Sequence, residues 1–140
     1  MASGDVWAVD TSVAVAALDA AHGAHVACLD VVRRERPALA GHAAFELYAV
    51  LTRMPGSLGV DPRQAAHLIE RVFPEVAELD PGAVAALRTR LPVLGITGGA
   101  VYDALVAEAA RTTGRRLFTR DQRARRTYDL LGIDYHLVGP

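Results

Sequence analysis

Val6-Trp7-Ala8-Val9-Asp10-Thr11-Ser12-Val13 is the stretch on which the fold turns. Val6 to Val9 form an apolar run that reads as a buried strand, and Asp10-Thr11-Ser12 reads as its junction into a helix over 11–18. The same alternation continues outward. A helix is expected over 22–36, ending in Arg33-Arg34-Glu35-Arg36 before Pro37, and a second strand over 37–40. An apolar helix runs from His42 to Arg53 and is stopped by Met54-Pro55-Gly56. Asp61-Pro62 and Asp80-Pro81 each open a helix, with Asp at the cap and Pro in the first turn, and a strand over 76–79 lies between them. Gly98-Gly99 precede a helix to about Thr113, followed by a strand over 116–119, a helix over 121–131 and a last strand over 135–138. Short apolar strands alternating with helices predict an α/β fold, with a short, mainly parallel sheet covered on both faces. In such sheets ligands bind beyond the carboxyl ends of the strands, so chemistry is expected there.

The chain has 140 residues, 51% apolar and 22% charged, which suits one folded domain with a real core. Its longest apolar run, Val13 to Leu18, is too short to span a membrane. No basic residue precedes Asp5 and Asp10, so the N-terminus does not read as a secretory signal. Cys28, the single cysteine, excludes an intrachain disulfide and suits a reducing compartment, so a soluble cytoplasmic domain is expected. The net charge of -1 conceals an uneven distribution: all 15 basic residues are arginines. Arg111, Arg115, Arg116, Arg120, Arg123, Arg125 and Arg126 fall in one stretch where Asp121 is the only acid. Such a stretch is either a phosphate-binding surface or a solvated helix face.

Two acids sit where the strand-end rule points. Asp10 ends the first strand, and Asp121 follows Leu117-Phe118-Thr119; each is also a good helix cap. Glu46 lies in His42-Ala43-Ala44-Phe45-Glu46-Leu47-Tyr48-Ala49-Val50-Leu51, where a buried carboxylate needs compensation and His42, one turn earlier, is the local candidate. Asp103 sits one turn into the helix after Gly98-Gly99, where the helix dipole also favours an acid. Brought to one end of the sheet, four carboxylates repel and call for a divalent cation. With oxygen ligands alone the candidates are Mg²⁺ or Mn²⁺ rather than zinc. Such ions activate water and neutralise charge on a phosphate undergoing in-line displacement.

Val9-Asp10-Thr11-Ser12-Val13, Phe45-Glu46-Leu47, Asp103-Ala104-Leu105-Val106-Ala107-Glu108-Ala109 and Leu117-Phe118-Thr119-Arg120-Asp121 resemble, in order and spacing, the four acidic motifs of PIN domains, and most closely those of VapC-type toxins. The resemblance spans nearly the whole chain and implies a single PIN-like domain over residues 1–140, a three-layer α/β/α sandwich. It further implies a Mg²⁺- or Mn²⁺-dependent endoribonuclease acting on structured RNA (transfer or ribosomal RNA loops), a cognate VapB-like antitoxin and a homodimer. By motif, Asp10, Glu46, Asp103 and Asp121 become the catalytic acids, with Asp10, Asp103 and Asp121 on the metal and Glu46 acting through water. Thr11, Ser12 and Thr119 become supporting hydroxyls, while Arg116, Arg120 and Arg123 are candidate RNA contacts.

Other features carry less. His22, His25 and Cys28 are spaced i, i+3 and i+6, which drifts around a helix, so Cys28 reads as a core residue rather than a zinc ligand. Gly95-Ile96-Thr97-Gly98-Gly99 lacks the pattern of a phosphate loop and reads as the start of a helix. The helix from His42 to Arg53 carries Phe45, Leu47, Tyr48, Val50, Leu51 and Met54, more than one stripe. It is expected to be doubly buried, or else to offer one edge to an antitoxin helix or a second subunit. Two other functions stay open: a PIN-like module that binds RNA or protein without cutting, and a metal-dependent phosphohydrolase of small esters.

Overall fold

The computed structural model describes residues 5–53 and 60–139; the expected helix stop at Met54-Pro55-Gly56 lies outside them. The elements run β1 (Trp7–Val9), α1 (Thr11–Leu18), α2 (His25–Glu35), β2 (Ala38–Ala40), α3 (Ala43–Arg53), α4 (Pro62–Val72), β3 (Val76–Ala77), α5 (Pro81–Leu94), α6 (Ala100–Thr112), β4 (Arg116–Thr119), a 3₁₀ turn (Gln122–Ala124), α7 (Arg125–Leu131) and β5 (Tyr135–Leu137). The five strands form one sheet in the order β3-β2-β1-β4-β5, and every neighbouring pair is parallel. The strand order reverses at β1: β2 and β3 extend to one side, β4 and β5 to the other. Ligand crevices in open α/β sheets lie at such a reversal, and here it falls between the carboxyl ends of β1 and β4.

Alternation along each strand divides the core into two. Trp7, Val9, Leu39 and Phe118 face a layer built from α1, α2, α3 and α4. Ala8, Ala40 and Leu117 face the layer of α5, α6 and α7. Being buried on both faces is why these strands read as unbroken apolar runs, and the result is a three-layer α/β/α sandwich. Across the β1–β4 pair, the Trp7 and Phe118 rings stack at 3.8 Å and 11°, and the Arg116 guanidinium sits 4.3 Å over the indole. Gly41, at φ +50°, brings the end of β2 against α6: a Cβ there would lie 2.8 Å from that of Ala109. Any side chain would therefore push α6 away from the sheet.

Local chemistry sets the boundaries. Asp61 and Gln64 form a reciprocal capping box on α4, and Asp80 caps α5 ahead of Pro81. The helix expected from residue 22 starts only at His25, because Asp19 accepts from Ala21 N at 3.0 Å and His22 Nδ1 from Ala24 N at 3.0 Å, holding a turn. The strand expected over 76–79 stops at Ala77, short of the Asp80 cap. The helix expected over 121–131 is interrupted, since Asp121 caps a 3₁₀ turn before α7 begins at Arg125. Cys28 is fully buried in the first core. No helix among the described residues is long and apolar enough to cross a membrane.

The expectation of a doubly buried α3 is corrected. Only Ala43, Leu47 and Leu51 are buried, one stripe at i, i+4 and i+8. Phe45 is 75% exposed and Tyr48 39% exposed. α3 follows β2, next to the edge of the sheet, and packs by that stripe with Ala44 partly buried beside it.

Candidate active site

Asp10 leaves β1 at the strand-order reversal and caps α1, accepting from Val13 N at 3.3 Å. Its capping role and its place at the site thus coincide. Ser12 Oγ donates to Asp10 Oδ1 at 2.5 Å and accepts from Arg120 N at 2.8 Å. The Thr119 hydroxyl, at the end of β4, donates to Asp10 Oδ2 and accepts from Asp121 N at 3.0 Å. The Tyr128 hydroxyl, from α7, also donates to Oδ2, at 2.9 Å. One buried carboxylate therefore ties β1, α1, β4 and α7 together. Burial pushes its pKa up, and the bonds from Ser12, Thr119, Tyr128 and Val13 oppose that rise.

Asp103 occupies the first turn of α6. Burial, followed by the charges of Asp121, Asp10 and Glu46, pushes its carboxyl up to about 6, with Arg123 opposing. Asp121, Asp10 and Glu46 thus all lie near enough to Asp103 to act on it through space. Glu46 differs from expectation in being half-exposed, its side chain 38% accessible, so water shares its stabilisation with His42 Nε2, 3.6 Å from Oε1. Asp121 accepts from Arg123 N at 2.9 Å.

The arrangement is open rather than a closed cage. Among the described residues, no group of three His, Cys, Asp or Glu is already gathered as a metal cluster, and both oxygens of Asp10 are engaged in hydrogen bonds. An open, all-oxygen site with excess negative charge fits a Mg²⁺-like ion, which takes one or two carboxylates and keeps several waters.

The remaining expected residues divide. Ser12 and Thr119 are in the network, whereas Thr11 Oγ1 is buried with no hydrogen-bond partner among the described residues. Arg120 meets the site through its backbone, but its guanidinium is turned to Val138 O at 2.9 Å. Arg123 is solvent-exposed, 3.9 Å from Asp121. Arg116 is not brought to the acids. It starts β4, about 10 Å along the strand from Thr119 at ~3.3 Å per residue, and pairs there with Asp134 at 2.7 Å and Asp5 at 3.1 Å. The arginine-rich stretch as a whole is no single basic face, because Arg111 pairs with Glu108 and Arg115 with Glu75.

Two buried residues, one at the site and one in the scaffold, stand outside the expected set. Tyr128 supports Asp10; the spacing of Thr127, Tyr128 and Leu131 marks them as an inward stripe but does not say what the hydroxyl meets. Glu108 is buried on α6, gripped by Arg111 at 2.7 and 2.8 Å and approached by Arg90 of α5 at 3.5 Å. An acid amid alanines within a predicted helix was the available signal.

The profile of the PIN domain family matches residues 8–130, and the chain belongs to that family. It is 44% identical over 131 residues to Ribonuclease VapC27 of Mycobacterium tuberculosis (strain ATCC 25618 / H37Rv), with 94% of each chain covered. It is 39% identical over 132 residues to Ribonuclease VapC40 of Mycobacterium tuberculosis (strain CDC 1551 / Oshkosh), with 94% of this chain and 98% of the relative covered.

Proposed function

We propose that this chain is a Mg²⁺- or Mn²⁺-dependent endoribonuclease that hydrolyses phosphodiester bonds in structured RNA, in loops of transfer or ribosomal RNA. The observation that carries the reading is the buried Asp10 carboxylate, held at the strand-order reversal by Ser12, Thr119 and Tyr128. The Asp103 carboxyl, raised to about 6 by burial and by Asp121, Asp10 and Glu46, supports it. Carboxyls perturbed by burial and by neighbouring like charges are enriched at functional sites, and a divalent cation would relieve the repulsion. The relatives named as ribonucleases, matched over nearly their whole length, supply the substrate class.

Asp10, Asp103 and Asp121 would hold the ion, and Ser12, Thr119 and Tyr128 fix Asp10 for that task. When bound, the divalent cation supplies Lewis acidity and positive charge against the scissile phosphate. Glu46, half-exposed beside His42, orients the attacking water and takes up its proton. The water oxygen bonds to phosphorus as the bond to the 3′ oxygen breaks, and that oxygen takes a proton from solvent, leaving a 3′-hydroxyl and a 5′-phosphate. The protein works in the cytoplasm as a homodimer and is the toxin of a pair. A VapB-like antitoxin silences it by placing a basic side chain among the acids, where it relieves their repulsion.

Analysis of product ends tests the mechanism. Fragments bearing 5′-phosphate and 3′-hydroxyl support it, whereas 2′,3′-cyclic phosphates would mean attack by the ribose and sink it.

A further inference from the structure

Three aromatic rings stand at the edge of the acid cluster without serving the core. The His42 ring stacks on Tyr102 at 5.1 Å and 20°, and Phe45 lies 6.5 Å from His42. Phe45 is 75% exposed and Tyr102 54% exposed. Each is the chain neighbour of an acid of the site, Phe45 of Glu46 and Tyr102 of Asp103. Beside them opens a cleft of about 400 Å³, lined by His42, Phe45, Val76, Glu78, Leu79 and Leu105, within the range that holds small planar ligands. Phe45 thus offers an exposed aromatic face at the cleft.

We propose that His42, Phe45, Tyr102 and this cleft form a stacking site for one unpaired nucleobase adjacent to the phosphate that is cut. The proposal rests on the endoribonuclease reading and adds a substrate-positioning element to it. A strand whose phosphate sits at the acids carries a neighbouring base past these rings, since His42, stacked on Tyr102, lies 3.6 Å from Glu46. Stacking on aromatic faces is how proteins hold single-stranded bases, and it tolerates any base because each has a π-face. Charge decides between a base and another protein. The rings are interleaved with the carboxylates of Glu46, Asp103 and Glu78, whereas the buried centre of a protein interface is depleted of charged residues. Glu78 on the cleft also repels a backbone phosphate but accepts a hydrogen bond from an exocyclic amine. The cleft therefore takes the base rather than the backbone.

The test compares two fluorescein-labelled single-stranded oligoribonucleotides of equal length, one of mixed sequence and one wholly abasic, binding to the full chain by anisotropy. Wild type should prefer the base-bearing strand by roughly fivefold to a hundredfold. Phe45→Ala and Tyr102→Ala should collapse that preference while leaving affinity for the abasic strand unchanged, and Phe45→Tyr should keep it. Both rings are exposed, so these variants fold. An undiminished preference in both alanine variants would overturn the stacking site. The same undiminished preference, with Phe45→Ala converting a dimer to monomers in sedimentation, would overturn it and assign the face to a second copy. If wild type cleaves total cellular RNA in a metal-dependent way yet binds both strands alike, the stacking site falls and the endoribonuclease reading stands; if it leaves total RNA intact and binds both strands alike, both fall.

Discussion

The Tyr128 hydroxyl donates to Asp10 Oδ2 at 2.9 Å across 118 positions of sequence, joining α7 to the acid at the end of β1. The contact supports a carboxylate that burial would otherwise drive toward its neutral form. Tyr128→Phe keeps the ring and removes only this bond. It should cost about 1.5–3 kcal/mol, as for hydrogen bonds to charged groups, read by urea unfolding at neutral pH. It should also raise the Asp10 pKa further and move the acid limb of the activity profile to higher pH. An unchanged profile and midpoint would detach Tyr128 from the site.

Asp103 gives the metal-free protein an unusual pH dependence. Its folded-state pKa, about 6, lies above the ordinary carboxyl value of 3.8, so the folded chain binds more protons than the unfolded one between those values. On this account stability falls as pH rises from about 4 to about 6 and is level above that; Asp10, also raised, acts in the same direction. In EDTA, Asp103→Asn should raise the melting temperature at pH 7 and flatten the decline between pH 4 and 6. A variant less stable than wild type at pH 7 would show that the carboxylate is already compensated.

A divalent cation should reverse that penalty. Saturating wild type with Mn²⁺ or Mg²⁺ at a hundred times its Kd adds about 2.7 kcal/mol, a rise of several degrees in a thermal scan. Asp10→Asn and Asp103→Asn should each lose most of the shift. An equal shift in wild type and both variants would place the ion elsewhere.

Glu108 makes a separate prediction about the scaffold. Its side chain is 2% accessible, while Arg111 and Arg90 on either side are 42% and 40% accessible. Glu108→Gln leaves two guanidinium groups without their acid and should destabilise by about 2–4 kcal/mol, below the upper range for buried pairs because water reaches the arginines. Chemical denaturation reads the loss. A change under about 0.5 kcal/mol, the size of an ordinary surface substitution, would mean that the pair contributes little.

What the sequence disclosed and what it withheld follow from range. Strands buried on both faces leave unbroken apolar runs, so Trp7–Val9, Ala38–Ala40 and Arg116–Thr119 were legible within a residue or two. Asp10 and Asp121 were legible because a carboxylate at a strand end is locally marked. That Asp103 lies within reach of the charges of Asp10, Asp121 and Glu46 is a matter of three-dimensional placement, which local sequence does not carry. Tyr128 was not legible, since nothing near it signals a partner in β1. The arginine stretch misled because proximity in sequence says nothing about opposite ends of a strand: Arg116 and Thr119 both belong to β4, yet only Thr119 reaches Asp10. α3 misled because apolar residues were counted without knowing that only one stripe meets the core.

The central claim is that the four-acid cluster cuts RNA. It is tested most directly by incubating total cellular RNA with the purified chain in Mg²⁺, in Mn²⁺ and in EDTA, beside Asp103→Asn. The account predicts discrete fragments that require the metal and vanish in the variant. Fragments that persist in EDTA and with Asp103→Asn would contradict it.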